Sequence, residues 1–423
     1  MQTSFTPAQL DQSDMAASEA VIRKCVHCGF CMATCPTYQL LGDELDGPRG
    51  RIYLIKDMLE NERQPGAEVV KHIDRCLSCL SCVTTCPSDV NYMHLVDHAR
   101  AYIEARYRRP LGERLLRGVL AWVLPHPGRM RLALTLGRLA RPLRGLMPSK
   151  SLRALLDLTP RRAAAKVAAA DAPVAGAKGR VVLLQGCAEP VLKPQVRAAT
   201  VRLLNRAGYA VSFAAGEGCC GALVHHMGRE AESLDAARRN VDAWTAEIEA
   251  GGLTAIVVTA SGCGTTIKDY GFMLRSDPVY ADKAERVSGL ARDITELLAQ
   301  IDLPPGDGRG LTVAYHSACS LQHGQKVTDQ PVRLLKAAGY QVRTPTDAHL
   351  CCGSAGTYNI LQPEIAAQLG ANKAASLDAL GADVIAAGNV GCAVQIGALS
   401  GLPVVHTVEL LDWATGGPKP EGV

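Results

Sequence analysis

Eight of the sixteen cysteines in this 423-residue chain fall into two runs with the same spacing. Within each run the gaps are two, two and three residues, and a proline follows the last cysteine. Three thiolates on one tight loop can occupy three corners of a 4Fe-4S cube, whereas zinc sites more often pair two Cys-x-x-Cys units. We therefore predict iron-sulfur ligation by Cys25, Cys28, Cys31 and Cys35, before Pro36, and by Cys76, Cys79, Cys82 and Cys86, before Pro87.

The two runs resemble the signature of bacterial two-cluster ferredoxins, in which the fourth cysteine of each run binds the other run's cluster. The resemblance implies that the proline after each fourth cysteine turns the chain toward that cluster. Clusters that share their loops in this way suit one-electron relay rather than chemistry on a bound substrate. The ligands implied are Cys25, Cys28, Cys31 and Cys86 for one [4Fe-4S] cluster, and Cys76, Cys79, Cys82 and Cys35 for the other.

The segment between the two runs predicts a helix. Gly47 and Pro48 mark a helix start, and residues 52–59 have apolar side chains at helical spacing. The order of the first run, this segment and the second run resembles the iron-sulfur subunits of bacterial glycolate oxidase. More broadly, it resembles the subunits that serve flavin dehydrogenases of glycolate, lactate and glycerol 3-phosphate.

This resemblance implies an oxidoreductase subunit that takes electrons from a flavin (FAD) subunit of the same complex and passes them toward quinone or another acceptor. The chain would not itself oxidise the substrate, so no catalytic residue is assigned. In agreement, no strand leads into a Gly-x-Gly-x-x-Gly dinucleotide motif. Lactate or glycerol 3-phosphate as the upstream substrate, a heterodisulfide-type thiol-disulfide reductase and a zinc-stabilised scaffold are the alternatives.

Length and composition favour two or three domains with a sizeable core, because 48% of the residues are hydrophobic. The cysteines fall into ligand-spaced groups, which indicates a reducing compartment rather than a disulfide framework. The N-terminus lacks a basic start followed by an apolar core, and no stretch is apolar enough to span a membrane. We therefore expect a cytoplasmic protein.

Basic residues are concentrated between Arg100 and Arg162, where fifteen Lys or Arg face only three acidic residues. The stretches 111–124 and 130–146 predict basic amphipathic helices that are broken by Pro125, Pro127 and Pro142. Such helices can lie peripherally on the anionic inner face of the cell membrane, or pack on the chain's own domains or a partner subunit. Few aromatic residues and no recognised motif argue against nucleic acid. Residues 161–179 have the composition of a linker.

The second half of the chain, from residue 180 onward, contains one pattern twice. In each copy an apolar strand leads to a cysteine, thirty-one residues separate that cysteine from a Cys-Cys-Gly turn, and a later strand leads to a fourth cysteine. So many features at nearly equal offsets indicate two homologous units. Their cysteines are Cys187, Cys219, Cys220 and Cys263 in the first unit, and Cys319, Cys351, Cys352 and Cys392 in the second.

Short β-branched strands alternate with longer helical stretches in both units, at 196–206, 231–249 and 365–380 among others. This alternation predicts parallel strands with crossover helices, and the cysteines should converge on the rim at the strands' carboxyl ends. The expected fold class is α+β and α/β. Its parts are a helical ferredoxin-like domain with two [4Fe-4S] clusters at 1–100, a basic helical region and linker at 101–179, and duplicated α/β cysteine-rich units at 180–305 and 306–423.

The Cys-Cys-Gly turns resemble the CCG domain of heterodisulfide reductases and related oxidoreductases. In that family the motif ends in Cys-x-x-Cys and supplies five thiolates, whereas here Thr266 and Gln395 replace the last cysteine. Four thiolates per unit suit a third iron-sulfur cluster or a zinc ion equally by number. Buried free thiols or a vicinal redox pair are the alternatives. His316 and His323 occur only in the second unit, which favours that unit for the additional metal.

Overall fold

The N-terminal part is a helical layer that surrounds the loops of the two cysteine runs. The structure, a computed structural model, describes residues 1–147, 149–164 and 176–423. The helix predicted between the runs extends over Pro48–Glu60, and Ile52, Ile55 and Leu59 bury one face of it. The helices are α1 (Pro7–Leu10), α2 (Ser13–Lys24), α3 (Pro36–Leu41), α4 (Pro48–Glu60), α5 (Ala67–Asp74), α6 (Ser81–Thr85) and α7 (Tyr92–Arg106), with 3-10 turns at Phe30–Met32 and Glu44–Asp46.

The basic region forms three short helices, α8 (Leu111–Val123), α9 (Pro127–Ala140) and α10 (Lys150–Asp157). The helix predicted over 130–146 is divided, because a 3-10 turn at Arg141–Leu146 follows α9. Pro142 lies in that turn and has no N–H to continue the helical hydrogen bonds. Residues 165–175 of the predicted linker lie outside the described residues. No helix among the described residues is long and apolar enough to cross a bilayer.

The first cysteine-rich unit alternates strands and helices as the sequence predicts. Its strands are β1 (Gly179–Leu183), β2 (Tyr209–Ser212), β3 (Ala255–Val258) and β4 (Ala291–Asp293). Its helices are α11 (Glu189–Leu192), α12 (Gln195–Arg206), α13 (Ala222–His225), α14 (Glu230–Glu249), α15 (Ser261–Lys268), α16 (Tyr270–Met273), α17 (Ala281–Leu290) and α18 (Ile294–Leu298).

The second unit repeats this order with fewer helices. Its strands are β5 (Thr312–His316), β6 (Gln341–Arg343), β7 (Val384–Ala387) and β8 (Val404–His406). Its helices are α19 (Gln330–Ala337), α20 (Tyr358–Leu361), α21 (Pro363–Asp378), α22 (Val390–Gly397) and α23 (Thr407–Ala414), and a π-helical turn occupies Ser320–Gly324.

Each unit contains one four-stranded parallel sheet, and the two sheets have equivalent strand orders, β2-β1-β3-β4 and β6-β5-β7-β8. The registers are equivalent as well. Val181 lies opposite Val211 and Ala255 in the first sheet, and Val313 lies opposite Val342 and Val384 in the second. The duplication seen in the sequence is therefore a duplication of topology.

The two units share one hydrophobic core. Val181 and Leu183 of β1 pack in the same cluster as Val313 and Tyr315 of β5. The intervening residue, Val182, points to the other face of its sheet and packs in a core that belongs to the first unit alone. This alternation follows from the two-residue period of a strand, and it buries both faces of each sheet. The carboxyl ends of the strands, which carry the cysteines, are thereby held in a fixed arrangement.

Candidate metal centres

Two cavities in the helical layer are lined by the cysteines of the two runs. The first cavity contains Cys25, Cys28 and Cys31 from the first run together with Cys86 from the second, and Cys82 also borders it. Burial and the nearby Cys25 thiol raise the pKa of Cys31 to about 11. Bound metal ions would supply the positive charge that these crowded thiolates require.

The second cavity is lined by Cys76, Cys79 and Cys82 of the second run and by Cys35 of the first. Burial, followed by repulsion from Cys319 and Cys35, raises the pKa of Cys79 well above its ordinary value. Both cavities therefore combine three thiols of one run with the last thiol of the other. Their donor sets fit two [4Fe-4S] clusters, which are held by four cysteine thiolates each.

A buried ion network supports the second cavity. Asp46 accepts hydrogen bonds from His72 Nδ1 at 2.8 Å and from Arg75 Nη1 at 2.7 Å. Arg51, fully buried, lies 3.6 Å from the same carboxylate and donates to Thr37 Oγ1 at 3.1 Å. Asp43, Asp46 and His72 are close enough to hold a metal ion, but the two arginines already compensate the Asp46 charge. The group is therefore a structural ion-pair network.

Helix α7 fixes the loop of the second run from the other side. Arg100 donates to the Cys76 carbonyl at 2.6 Å, and Tyr92 Oη lies 3.9 Å from Cys76 Sγ. Tyr92 also lines both cavities, so one helix end contacts both groups of thiols. Hydrogen bonds of this kind orient metal ligands and influence the potential of a bound cluster.

The second cysteine-rich unit brings its four cysteines together behind the Cys-Cys-Gly turn. Cys319 Sγ and Cys351 Sγ are 3.7 Å apart, Cys351 interacts with Cys352, and Cys352 interacts with Cys392. The Gly353 N–H donates to Cys351 Sγ at 3.4 Å. The hydrogen bond with Cys319 lowers the pKa of Cys351, whereas the hydrogen bond with Cys352 and burial raise it. The pKa of Cys351 therefore lies well above its ordinary value.

His316 joins this group at the end of β5. One of its ring nitrogens and the sulfurs of Cys352 and Cys392 lie within 4.8 Å of one another. The ring is buried, and its Nε2 has no hydrogen-bond partner among the described residues. Burial, with Lys373 nearby, lowers the pKa of His316 to about 3, so the imidazole is neutral at pH 7. A buried, neutral imidazole that lies beside two thiols and has an unpaired Nε2 fits a metal site.

His323, the other candidate histidine, is engaged elsewhere. Its Nδ1 is 2.7 Å from Thr84 Oγ1, and its Nε2 is 3.1 Å from the His349 carbonyl oxygen. Both ring nitrogens therefore have partners. Because Thr84 lies between Cys82 and Cys86, His323 connects the second run to the second unit rather than pointing at its thiols.

The second cavity and the second unit's cysteines are neighbours. Cys79 and Cys351 belong to one buried cluster, and Cys319 packs against it. The Cys79 thiol is close enough to Cys319 and Cys351 for their charges to interact. Tyr358 Oη donates to the Arg75 carbonyl at 3.0 Å and strengthens this interface. The thiols of the second run and of the second unit thus form one continuous group.

The first unit also collects its four cysteines, in a hydrogen-bonded chain of thiols. Cys187 and Cys220 interact with Cys219, and Cys220 interacts with Cys263. Hydrogen bonds from Cys187 and then Cys220 lower the pKa of Cys219 well below its ordinary value. The side chain of Asn240 holds this turn by donating to the Cys219 carbonyl at 3.2 Å.

The residues that replace the fifth cysteine are used for structure. Gln395 Nε2 donates to the Ala366 carbonyl at 3.1 Å, and its Oε1 accepts from Asn359 at 3.1 Å. Thr266 Oγ1 donates to the Gly262 carbonyl within its own helix at 3.3 Å. Neither side chain can replace a thiolate ligand, so each unit has four cysteines as candidate metal ligands.

Comparison with protein families agrees with this division of the chain. The 4Fe-4S dicluster domain matches residues 21–90, and the Cysteine-rich domain (CCG) matches 181–268 and again 313–397. The "Glycolate oxidase iron-sulfur subunit" of Escherichia coli (strain K12) is 44% identical over 98% of this chain and 99% of its own length. This chain belongs to the family of glycolate oxidase iron-sulfur subunits.

Other members and relatives of the glycolate oxidase iron-sulfur subunits are more distant. The "Probable glycolate oxidase iron-sulfur subunit" of Bacillus subtilis (strain 168) is 31% identical over 94% of this chain and 95% of its own length. The "Lactate utilization protein A" of Bacillus pumilus (strain SAFR-032) is 29% identical over 55% of this chain and 99% of its own length. The predicted family, the two [4Fe-4S] clusters and the duplicated cysteine-rich fold are confirmed.

A solved structure shares the fold at low identity. The "Crystal structure of a hypothetical protein from Helicobacter pylori" superposes with a TM-score of 0.55 at 11% identity, over 96% of this chain and 73% of the other. At this identity the likeness concerns the fold alone.

The residues that support the thiols were not predicted from the sequence. Arg51 lies one position before Ile52 on the buried face of α4, and a charged residue on such a face signals a buried ion pair. Asp46, Arg100 and Asn240 carry no comparable signal, because their partners come from distant parts of the chain.

Proposed function

We propose that this chain is the electron-transfer subunit of a flavin-dependent glycolate-oxidising complex, and that it carries electrons from an FAD-containing subunit toward quinone. The contact between Cys79 and the cysteines of the second unit carries the proposal, because it makes the thiol groups continuous. When bound, the clusters accept and release one electron at a time. The substrate glycolate follows from the names of the relatives, and FAD and quinone from the family resemblance.

The proposal includes crossed ligation, in which the fourth cysteine of each run binds the cluster of the other run. Cys25, Cys28, Cys31 and Cys86 would hold one cluster, and Cys76, Cys79, Cys82 and Cys35 the other, because each set lines one cavity. The chain's own part is to orient these thiols, through Arg100 and the ion network of Asp46. Cys28 is exposed and flanked by the exposed Val26 and Phe30, which gives a partner subunit a way to approach the first cavity.

A third metal centre is proposed in the second unit. Cys319, Cys351, Cys352 and Cys392 would supply thiolates, and His316 would supply an imidazole or support them. The proposed domains are 1–100, 101–179, 180–305 and 306–423. A cytoplasmic location is proposed because the sixteen cysteines are free and ligand-spaced, as in a reducing compartment.

The division of labour between subunits can be tested by activity. We expect the purified, metal-loaded chain to leave glycolate unoxidised with an artificial acceptor, and to support quinone reduction once a flavoprotein subunit is added. A chain that oxidised glycolate alone and without flavin would contradict the proposal. Reduction of a disulfide substrate by the chain would favour the heterodisulfide-type alternative instead.

A further inference from the structure

The basic helical region carries an apolar face that lies open in the described part of the chain. Leu111, Leu139 and Leu146 are 77%, 74% and 79% exposed. Along each helix the exposed apolar residues recur every three or four positions, so they form one stripe per helix. They are Leu111, Leu115, Val119 and Trp122 in α8, and Leu132, Leu136, Leu139, Leu143 and Leu146 in α9 and the 3-10 turn after it.

The opposite face of α8 holds the helix on the protein. Ala121 packs with Val224 and Met227 of the first cysteine-rich unit. Arg117 donates to the Met227 carbonyl at 3.4 Å and pairs with Asp74 at 3.1 Å. The helix is therefore anchored through one face while its leucine stripe points to solvent, so the exposure of that stripe is a property of the folded chain.

The charges around the stripe are almost all positive. Residues 111–146 contain seven arginines and one acidic residue, Glu113. The Arg129 guanidinium lies 4.4 Å from the ring centre of Trp122. A helix with leucine and tryptophan on one side and arginine beside them is typical of segments that lie in a bilayer interface. The arginines without an ion pair in the described residues are Arg114, Arg129, Arg131, Arg138 and Arg141.

We propose that α8, α9 and the 3-10 turn after α9 form a docking surface for an anionic lipid bilayer. The leucines and Trp122 would enter the headgroup region, and the arginines would contact lipid phosphates. The proposed lipid contact is inferred from the exposed residues alone. Its use in delivering electrons to quinone, which is dissolved in the bilayer, rests on the proposed function. An anionic bilayer matches both the apolar area and the positive charge, so we commit to it as the occupant.

Vesicle binding of the full, metal-loaded chain tests this surface. We expect the protein to sediment with phosphatidylcholine vesicles that contain phosphatidylglycerol, and to bind vesicles of phosphatidylcholine alone far more weakly. Binding should also shift the tryptophan emission to shorter wavelength. Trp122 is 59% exposed, whereas Trp244 and Trp413 are 0% and 8% exposed, so the shift should vanish in the Trp122→Phe variant.

Substitutions at two places test whether vesicle binding depends on this face in particular or on any exposed apolar side chain. The Leu132→Glu/Leu136→Glu variant should bind anionic vesicles at least about tenfold more weakly, because two leucines no longer enter the interface. The control Val279→Glu, at a residue 63% exposed but far along the chain in the first unit, should bind as the wild type does. Both variants should show the circular dichroism and unfolding temperature of the wild type.

Two results would overturn the lipid surface, namely absence of vesicle binding by the wild type and equal binding of the double variant and the wild type. If the wild type binds no vesicles and the double variant also loses flavoprotein capture, the face belongs to a protein partner. Vesicle binding is measured without electron transfer. A chain that binds no vesicles can therefore be distinguished from a chain that transfers no electrons.

Discussion

At the scale of single residues, Cys35 and Cys86 decide how the two ferredoxin-type clusters are linked. Each lies in the cavity formed mainly by the other run. Cys35 also lies 4.0 Å from the buried Arg51 guanidinium, so a thiolate at this position has a positive neighbour. The proposed exchange of these two cysteines would tie the runs into one structural unit.

Serine substitutions at these two positions test the exchange. Cys35→Ser should disturb the cluster of Cys76, Cys79 and Cys82 and leave the other signal intact, because the hydroxyl is a poor ligand for iron. Cys86→Ser should disturb the cluster of Cys25, Cys28 and Cys31. Paramagnetic resonance of the reduced chain distinguishes the two signals. If each substitution disturbed only the cluster of its own run, the exchange would be wrong.

The two candidate histidines show what a sequence can and cannot reveal about a residue. His316 and His323 look equivalent in sequence, since both lie at or shortly after the end of the same apolar strand. In the structure the His316 ring lies beside two thiols and its Nε2 has no partner among the described residues, whereas both nitrogens of His323 have partners. The partner of His323 is Thr84, 239 residues away along the chain, and nothing local in the sequence indicates that contact.

At the scale of elements, the Cys-Cys-Gly turn of the second unit depends on its glycine. Gly353 has a φ of +82°, and a Cβ there would lie 2.6 Å from the Ala366 carbonyl oxygen of α21. Its N–H donates to Cys351 Sγ. The turn therefore needs a residue that adopts the left-handed region and leaves space for the helix behind it.

A pair of alanine substitutions tests this requirement. Gly353→Ala should lower the free energy of unfolding by more than the roughly 1–3 kcal/mol of backbone strain, because α21 must also move. It should also release the metal of the second unit. Gly310→Ala is the control, since Gly310 has a φ of +69° but nothing within 4 Å of its Cβ position. Chemical denaturation and metal analysis give the readouts, and equal effects of both variants would contradict this account of the turn.

Most elements could be predicted because their patterns are local. The strands before Cys187, Cys263, Cys319 and Cys392 are short β-branched or apolar runs. The predicted helices differ from the observed ones by a few residues at their ends, except the helix predicted over 130–146, which ends at Ala140. The three-residue strands β4, β6 and β8 could not be recognised, because three residues carry no usable periodicity. Their positions depend on pairing with β3, β5 and β7.

At the scale of the whole molecule, the two homologous units have different neighbours. The cysteines of the second unit lie beside Cys79, and the π-helical turn after Cys319 packs on α15 of the first unit. The first unit contacts the same helical layer through other residues, with His94 Nε2 2.8 Å from Asp269 Oδ1, and it contacts α9, where Arg131 donates to the Pro190 carbonyl at 3.4 Å. The sequence predicts the duplication but not this asymmetry, because contacts between domains depend on surfaces assembled from distant segments.

We infer that the electron path continues from the ferredoxin-type clusters into the second unit, and the metal content of the full chain decides between this path and its alternatives. Two cubane clusters account for about eight irons per chain, so a third cluster should add roughly four. Anaerobically reconstituted wild type and Cys219→Ser/Cys220→Ser should both contain the third centre, with its paramagnetic signal broadened by the cluster next to Cys79. Cys351→Ser/Cys352→Ser should lose that iron and that signal alone. Zinc without further iron, or unchanged iron and an unchanged spectrum in the Cys351→Ser/Cys352→Ser variant, would contradict the account.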